Sequence, residues 1–240
     1  MVSTVKVDVV APRVATGTTT LGVSGDKLLV PSGVTFTNSG TLSGFPGFNS
    51  VQRFTASATW TKPTGITKVI VEVQGGGGGG SSGNGVQWGG NGGGGSYVKQ
   101  FIDVSSISTS PIVVGAAGAG GTSPTTGGTS SWIDGTNSIS CLGGVNGEYA
   151  ASGHNDGGAG GVATASGATV LMNGQNGNQT YSYGGQGGDS GLGLGGVLFS
   201  YTGGTGQAST GYGGGGGGGT GTSATGVDGG VGLVLVWEYK

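Results

Sequence analysis

The chain has little of what most folds and most chemistries rest on. It carries one cysteine in 240 residues, so no internal disulfide can form. That residue, Cys141, lies in the apolar run SISCL and reads as a core position rather than a reactive thiol. Charge is scarce: eight Lys and Arg, ten Asp and Glu, one His. Seven of the bases fall in residues 1–99 (Lys6, Arg13, Lys27, Arg53, Lys62, Lys68, Lys99). Residues 100–240 hold seven acids against the single base Lys240, a formal charge of −6. A nucleic-acid surface needs clustered Lys or Arg, so no nucleic-acid partner is expected. No apolar run approaches the ~18 residues of a membrane span, and no membrane insertion is expected. The segment MVSTVKVDVV has neither the basic nor the apolar region of a secretory signal, so none is expected. Helical periodicity with caps is missing throughout, which predicts almost no α-helix.

Glycine is what the chain has instead: 64 residues, in a protein with only six prolines. Collagen is excluded, because no Gly-X-Y triplet is sustained and the glycine blocks hold almost no proline. Disorder is the stronger competing reading. It sits badly with a net charge of −2 and a hydrophobic share of 33%.

The chain divides into three zones. Residues 1–48 are rich in Thr, Ser and Val. Val5, Val7 and Val9 alternate with Lys6 and Asp8 as in a strand, and glycines then cut the segment into short pieces. It holds too few large apolar residues to close a core alone, which predicts a thin, fibrous β-stem that associates with copies of itself, as a homotrimer. Residues 49–240 form the second unit, with strands expected at about 51–60, 68–74, 96–104, 111–115 and 231–239. FTASATW is read as one strand with Phe54, Ala56, Ala58 and Trp60 on one face. KPTG is a turn. VGLVLVWEYK is apolar on both faces until Glu238, as a central strand would be. Trp132 and Trp237 are expected in the core.

Between those strands, residues 75–230 form a glycine zone, with blocks at 75–80, 89–95, 115–121, 157–161, 184–196, 203–206, 213–221 and 226–230. Ordering glycine is entropically expensive, so ordered blocks need dense backbone hydrogen bonding. A glycine α-helix is unfavourable by about 1 kcal/mol per residue relative to alanine. The extended left-handed threefold helix is the alternative. Its N–H and C=O groups point outward, and without side chains such helices can pack side by side. The predicted fold is therefore all-β plus polyglycine II helices: a β-stem followed by a bundle of glycine-rich left-handed helices clamped by a β-sheet. VQW reads as a turn between two rods.

No motif points to catalysis. GGQGGDSG at 184–191 partly matches a calcium-binding repeat, but occurs once and has Gly191 at the apolar position. No glycine block is followed by Lys-Ser or Lys-Thr, so phosphate loops fail. His154, in GHNDGG, is the only histidine, and its spacing from Asp156 gives no reason for a triad. The acids are single and scattered, unlike a glycosidase pair. No catalytic residue, metal or cofactor is expected, and the protein is not read as an enzyme. The aromatics between glycine blocks are more telling: Trp88, Tyr149, Tyr181, Tyr183, Phe199, Tyr201 and Tyr212, some beside Asn and Gln. Together with the loop residue His154, they form the candidate binding set. Loops rich in Tyr, Ser, Gly and Asn on a rigid scaffold have the composition of a binding surface. The alternative is that these rings cover the rod ends and bury apolar area.

FTASATWTKPTGITKVIVEVQGGGGGG, with the closing GLVLVWEYK, resembles the glycine-rich domain at the C-terminus of bacteriophage tail fibres, over about residues 50–240. It is also similar to the distal adhesin of T-even-like phages, whose loops between polyglycine II helices contact the bacterium. The resemblance implies a virion protein at the distal end of a tail fibre, with residues 1–48 like the trimeric shaft. Its partners would be a bacterial surface receptor (a glycan or an outer-membrane protein) and other tail proteins through the stem. A purely structural fibre tip and an ice-binding polyglycine surface are the competing readings.

Overall fold

The computed structural model describes residues 47–83, 88–148, 156–179, 185–197, 204–220 and 224–240. The expected stem lies outside them, apart from Gly47 and Phe48. Among the described residues the fold is all-β, with no helix. One five-stranded sheet runs in the order β1 (Phe48–Phe54), β12 (Leu233–Tyr239), β3 (Lys68–Gln74), β4 (Tyr97–Asp103), β9 (Val170–Met172). A second runs β2 (Ala58–Thr61), β5 (Thr109–Val113), β6 (Ser130–Ile133), β7 (Ser138–Cys141), β8 (Ala163–Ala165). A separate two-stranded pair joins β10 (Leu192–Leu194) to β11 (Thr210–Tyr212). Every strand pairing in these sheets is antiparallel.

Strand periodicity explains how the two large sheets close on each other. In KVIVEVQ the side chains of Val69, Val71 and Val73 fall on one face and are fully buried. Val98, Ile102, Val234 and Val236 join them from β4 and β12. Trp60, Ile112, Trp132, Ile139 and Cys141 complete the core from the second sheet. The Trp60 and Trp132 rings meet at 5.1 Å between centroids with a 49° tilt. The glycine zone is thus joined to this sandwich at both of its chain ends, after β3 and before β12.

Three expectations need correction. FTASATW is two strands, not one: β1 ends at Phe54 and β2 begins at Ala58 in the other sheet. Small Thr, Ala and Ser residues between them have no apolar mass to hold a pleat, and the chain crosses the sandwich there. Within β2 Ala58 is exposed and Trp60 buried. Trp237 is not in the core. It lies on the outer face of the first sheet, half-buried against Phe48 at 6.2 Å, because its neighbours Val236 and Glu238 take the inward positions. Glu238, in turn, is no exit from the core: it is 1% exposed. Its carboxylate accepts from Trp60 Nε1 at 2.8 Å, Gln52 Nε2 at 2.7 Å and Ser50 Oγ at 2.5 Å. Those neutral donors replace water around a buried acid.

Cys141 is buried as expected, with Sγ 3.2 Å from the Val73 carbonyl. Burial pushes its thiol up to about 12 from 9.0. Burial first, then the Glu72 carboxylate that its hydroxyl meets at 3.0 Å, raises Tyr97 above its ordinary 10.0. Both groups keep their protons in the folded chain at a pH where the unfolded chain has lost them. The folded state then binds more protons, so stability falls as pH rises from about 9 toward 12. Denaturant titrations across that range should show the decline, and Cys141→Ala should flatten its lower part.

Candidate functional site

Glycine-rich runs leave the sandwich from strand after strand: 75–83 follows β3, 88–96 leads into β4, 115–121 follows β5, 142–148 follows β7 and 224–232 leads into β12, while 213–220 follows β11 of the separate pair. The hydrogen bonds of the run 75–83 repeat every three residues. N–H groups of Gly75, Gly78 and Ser81 donate to the carbonyls of Ser96, Gly93 and Gly90. Those of Gly76, Gly79 and Ser82 donate to Gly128, Thr125 and Gly121, and those of Gly77, Gly80 and Gly83 to Gly230, Val227 and Ala224. All nine lie between 2.8 and 3.2 Å. The carbonyls behave likewise: Gly76 and Gly79 accept from Gly144 and Gly147, Gly77 and Gly80 from Gly118 and Gly121, Gly78 and Ser81 from Gly216 and Gly219. One run therefore bonds to six neighbouring stretches of backbone, three through its donors and three through its acceptors.

Burial follows the same repeat. The stretches 75–82, 89–96 and 213–220, nearly all glycine, are buried throughout. Runs on the outside need glycine only where they face inward. In GAAGAG, Gly115 and Gly118 are buried and Ala116 and Ala119 exposed; in LGGVNGE, Leu142, Val145 and Glu148 are exposed and Gly144 and Gly147 buried. This is why TSPTTGG, VNGE and NGQNGNQ, expected as inserts, continue the array: one glycine in three suffices at its surface. Among the described residues the glycines with positive φ are Gly65, Gly121, Gly135, Gly167, Gly211 and Gly213; of these only Gly213 belongs to an interior run, and it is the first residue of that run. Inside them glycine is required for its missing Cβ. A Cβ on Gly77 would stand 1.9 Å from the Gly214 oxygen, and one on Gly79 1.8 Å from that of Ala119.

Because every run is tied at one end to a strand, the other ends gather away from the sandwich. Their backbones are bonded together there: Gly83 N–H to Ala224, Gly89 N–H to Gly219, Gly90 N–H to Glu148, Glu148 N–H to Asp156, and Gly204 N–H to Thr220. Asn91, fully buried, pins three runs: its Oδ1 accepts from Gly218 N–H and its Nδ2 donates to the Asn178 carbonyl, both at 2.8 Å. The Gln179 amide donates to the Asp156 carboxylate. This end carries the half-buried Trp88 and the exposed Glu148 and Asp156. No Lys or Arg occurs anywhere from residue 104 to 239, whereas Arg53, Lys62, Lys68, Lys99 and Lys240 all belong to the sandwich strands or their flanks. The two ends of the domain thus differ in charge.

A family model described as a glycine-rich domain matches residues 52–239. The chain belongs to that glycine-rich domain family. The match begins in β1 and closes on Tyr239, the last residue of β12, so the glycine-rich domain includes both sheets and every run between them. No curated protein matches the chain.

Within the glycine-rich domain the candidate binding residues separate. Trp88 stands at the gathered ends. Tyr212 stands at the opposite end of the run 213–220, on β11, where its hydroxyl bonds Arg53 Nη2 and its ring lies 5.5 Å from the guanidinium carbon. Tyr149, His154, Tyr181, Tyr183, Phe199 and Tyr201 lie outside the described residues. Asp189, in the partial calcium motif, accepts from Gly195 N–H at 2.8 Å and Gln186 Nε2 at 3.1 Å and so fastens its own turn. Glu148, Asp156 and Gln179 escaped the reading for aromatics. The signal that would have found them is position alone, since each stands where the described part of an outer run begins or ends.

Proposed function

We propose that this glycine-rich domain is the receptor-binding tip of a bacteriophage tail fibre, and that its glycine runs are polyglycine II helices. The observation that carries the reading is the threefold repeat of donors and acceptors along 75–83. A backbone bonded to six neighbours cannot sway, so its far end is held at a fixed place. At about 3.1 Å per residue, nine residues set that end some 28 Å from the sandwich. The chain connections there, with Trp88, Tyr149, His154, Tyr181, Tyr183, Phe199 and Tyr201, form the contact surface. The ligand is a bacterial surface polysaccharide or outer-membrane protein, and recognition needs no covalent step. Residues 1–48 form a trimeric stem that joins the tip to other tail proteins, so weak single contacts gain avidity.

Adsorption competition tests the proposal. Purified protein should coat susceptible cells and block infection by a phage carrying it. Trp88→Ala should weaken that block about tenfold, by analogy with aromatic anchors elsewhere, without lowering thermal stability. A protein that never coats a cell, over a panel of surface mutants and a glycan array, overturns the reading.

A further inference from the structure

The outer face of the first sheet is covered over only part of its length. Register arranges it in rows across the strands. Nearest the glycine runs, Arg53, Leu235, Glu72 and Lys99 align, and here Tyr212 of the β10–β11 pair lies against Arg53. Glu72 is buried between the Lys99 ammonium at 3.1 Å and the Tyr97 hydroxyl. The next row, Val51, Trp237, Ile70 and Phe101, is apolar from edge to edge; Phe48 leans on Trp237 at its middle, while Val51 and Phe101 on either side are exposed. Phe101 is 53% exposed, and Phe48, 6.0 Å from the Tyr239 ring, is 59% exposed. A groove of about 340 Å³ opens beside them between Gly47, Ile70, Phe101 and Tyr239. An antiparallel sheet with one packed face ordinarily turns a polar face to water. An apolar row beside exposed aromatics marks a contact surface.

We infer that this face is a self-association surface, occupied by the same face of a second copy of the chain. Two observations select that occupant. The row beyond the aromatics places Lys68 directly opposite Asp103, both exposed, so the face carries both signs next to its apolar strip. A copy turned about an axis through the strip sets its Lys68 against the other's Asp103, which is the self-complementarity of an isologous contact. The chain also enters here: 46 residues precede Gly47, which lines the groove. Any association of those segments brings the faces of different copies together at high effective concentration; on a trimeric stem two of the three faces pair and the third stays open. The surface lies at the strand end of the domain and stands or falls independently of receptor binding at the run ends.

The test places a photoreactive p-benzoylphenylalanine at position 101 of the full chain, an exposed site that disturbs no packing. Irradiation should give chain-to-chain adducts that map to residues 48–54, 68–74 or 233–240 of another copy, while the same group at Leu194, equally exposed but off the face, gives none. Lys68→Asp should cut the adduct yield at least tenfold, and adding Asp103→Lys in the same chain should restore it. Adducts confined to the chain's own residues, adducts to residues 1–46, or a yield indifferent to the charge swap would each overturn the assignment. Failure of adsorption would leave these outcomes untouched.

Discussion

Gly79→Ala is expected to destabilise the domain by about 3 kcal/mol or more, at or above the upper end for overpacking a buried site. The added methyl would lie 1.8 Å from the Ala119 oxygen, 2.3 Å from its carbonyl carbon and 2.8 Å from Gly120 N. All three are backbone atoms, so no rotamer change relieves the clash. The neighbouring run must move, and it is itself bonded to Thr125 and Gly77. Equilibrium denaturation should show the loss as a lower midpoint at unchanged slope. Gly47→Ala, where a Cβ meets nothing within 4 Å, should change stability by less than about 0.5 kcal/mol. The contrast separates the packing of glycine from its entropy, since both substitutions stiffen the unfolded chain alike.

Trp60→Ala is expected to cost about 5 kcal/mol, by a different route. The indole is fully buried, meets the Trp132 ring in a tilted contact at 5.1 Å and donates to the Glu238 carboxylate. Truncation opens a cavity between the sheets and removes one of the three side-chain donors that solvate a buried acid. Trp60→Phe keeps most of the ring but not the N–H. It should cost about 2 kcal/mol, the price of one hydrogen bond to a charged group. If Trp60→Phe is neutral, Glu238 is not held as described.

Much of this architecture could be read from residue order, and particular positions show why. KVIVEVQ became β3 at its expected bounds, because a period of two with Val at each inward place admits one register. Trp132 and Cys141 went to the core for similar reasons. Phe54 to Trp60 misled, because alternating Ala, Ser and Thr fit either face and cannot reveal a crossing between sheets. Glu238 and Trp237 exchanged places, because a central strand that is apolar on both faces does not say which face has a second sheet above it. The glycine zone announced itself where runs are interior and pure. Its outer members, such as 142–148 and 173–179, hid behind Leu, Val, Asn and Gln, whose outward positions only the array explains. The candidate residues could be picked out as aromatics between glycine blocks, but residue order gave them no place. Trp88 and Tyr212 occur in similar glycine-rich surroundings, yet the register between runs sends them to opposite ends.

The domain holds its run ends in place only if side-chain-free backbone behaves as a rigid array. Native-state hydrogen exchange, followed residue by residue, measures that directly. The amides of Gly77 to Gly80, Gly92 to Gly95 and Gly215 to Gly217 should exchange only through global unfolding, with protection equal to that of Val71 and Val236 in the sandwich. Exchange of those glycines at the rates of a free chain, while the strands stay protected, would contradict it.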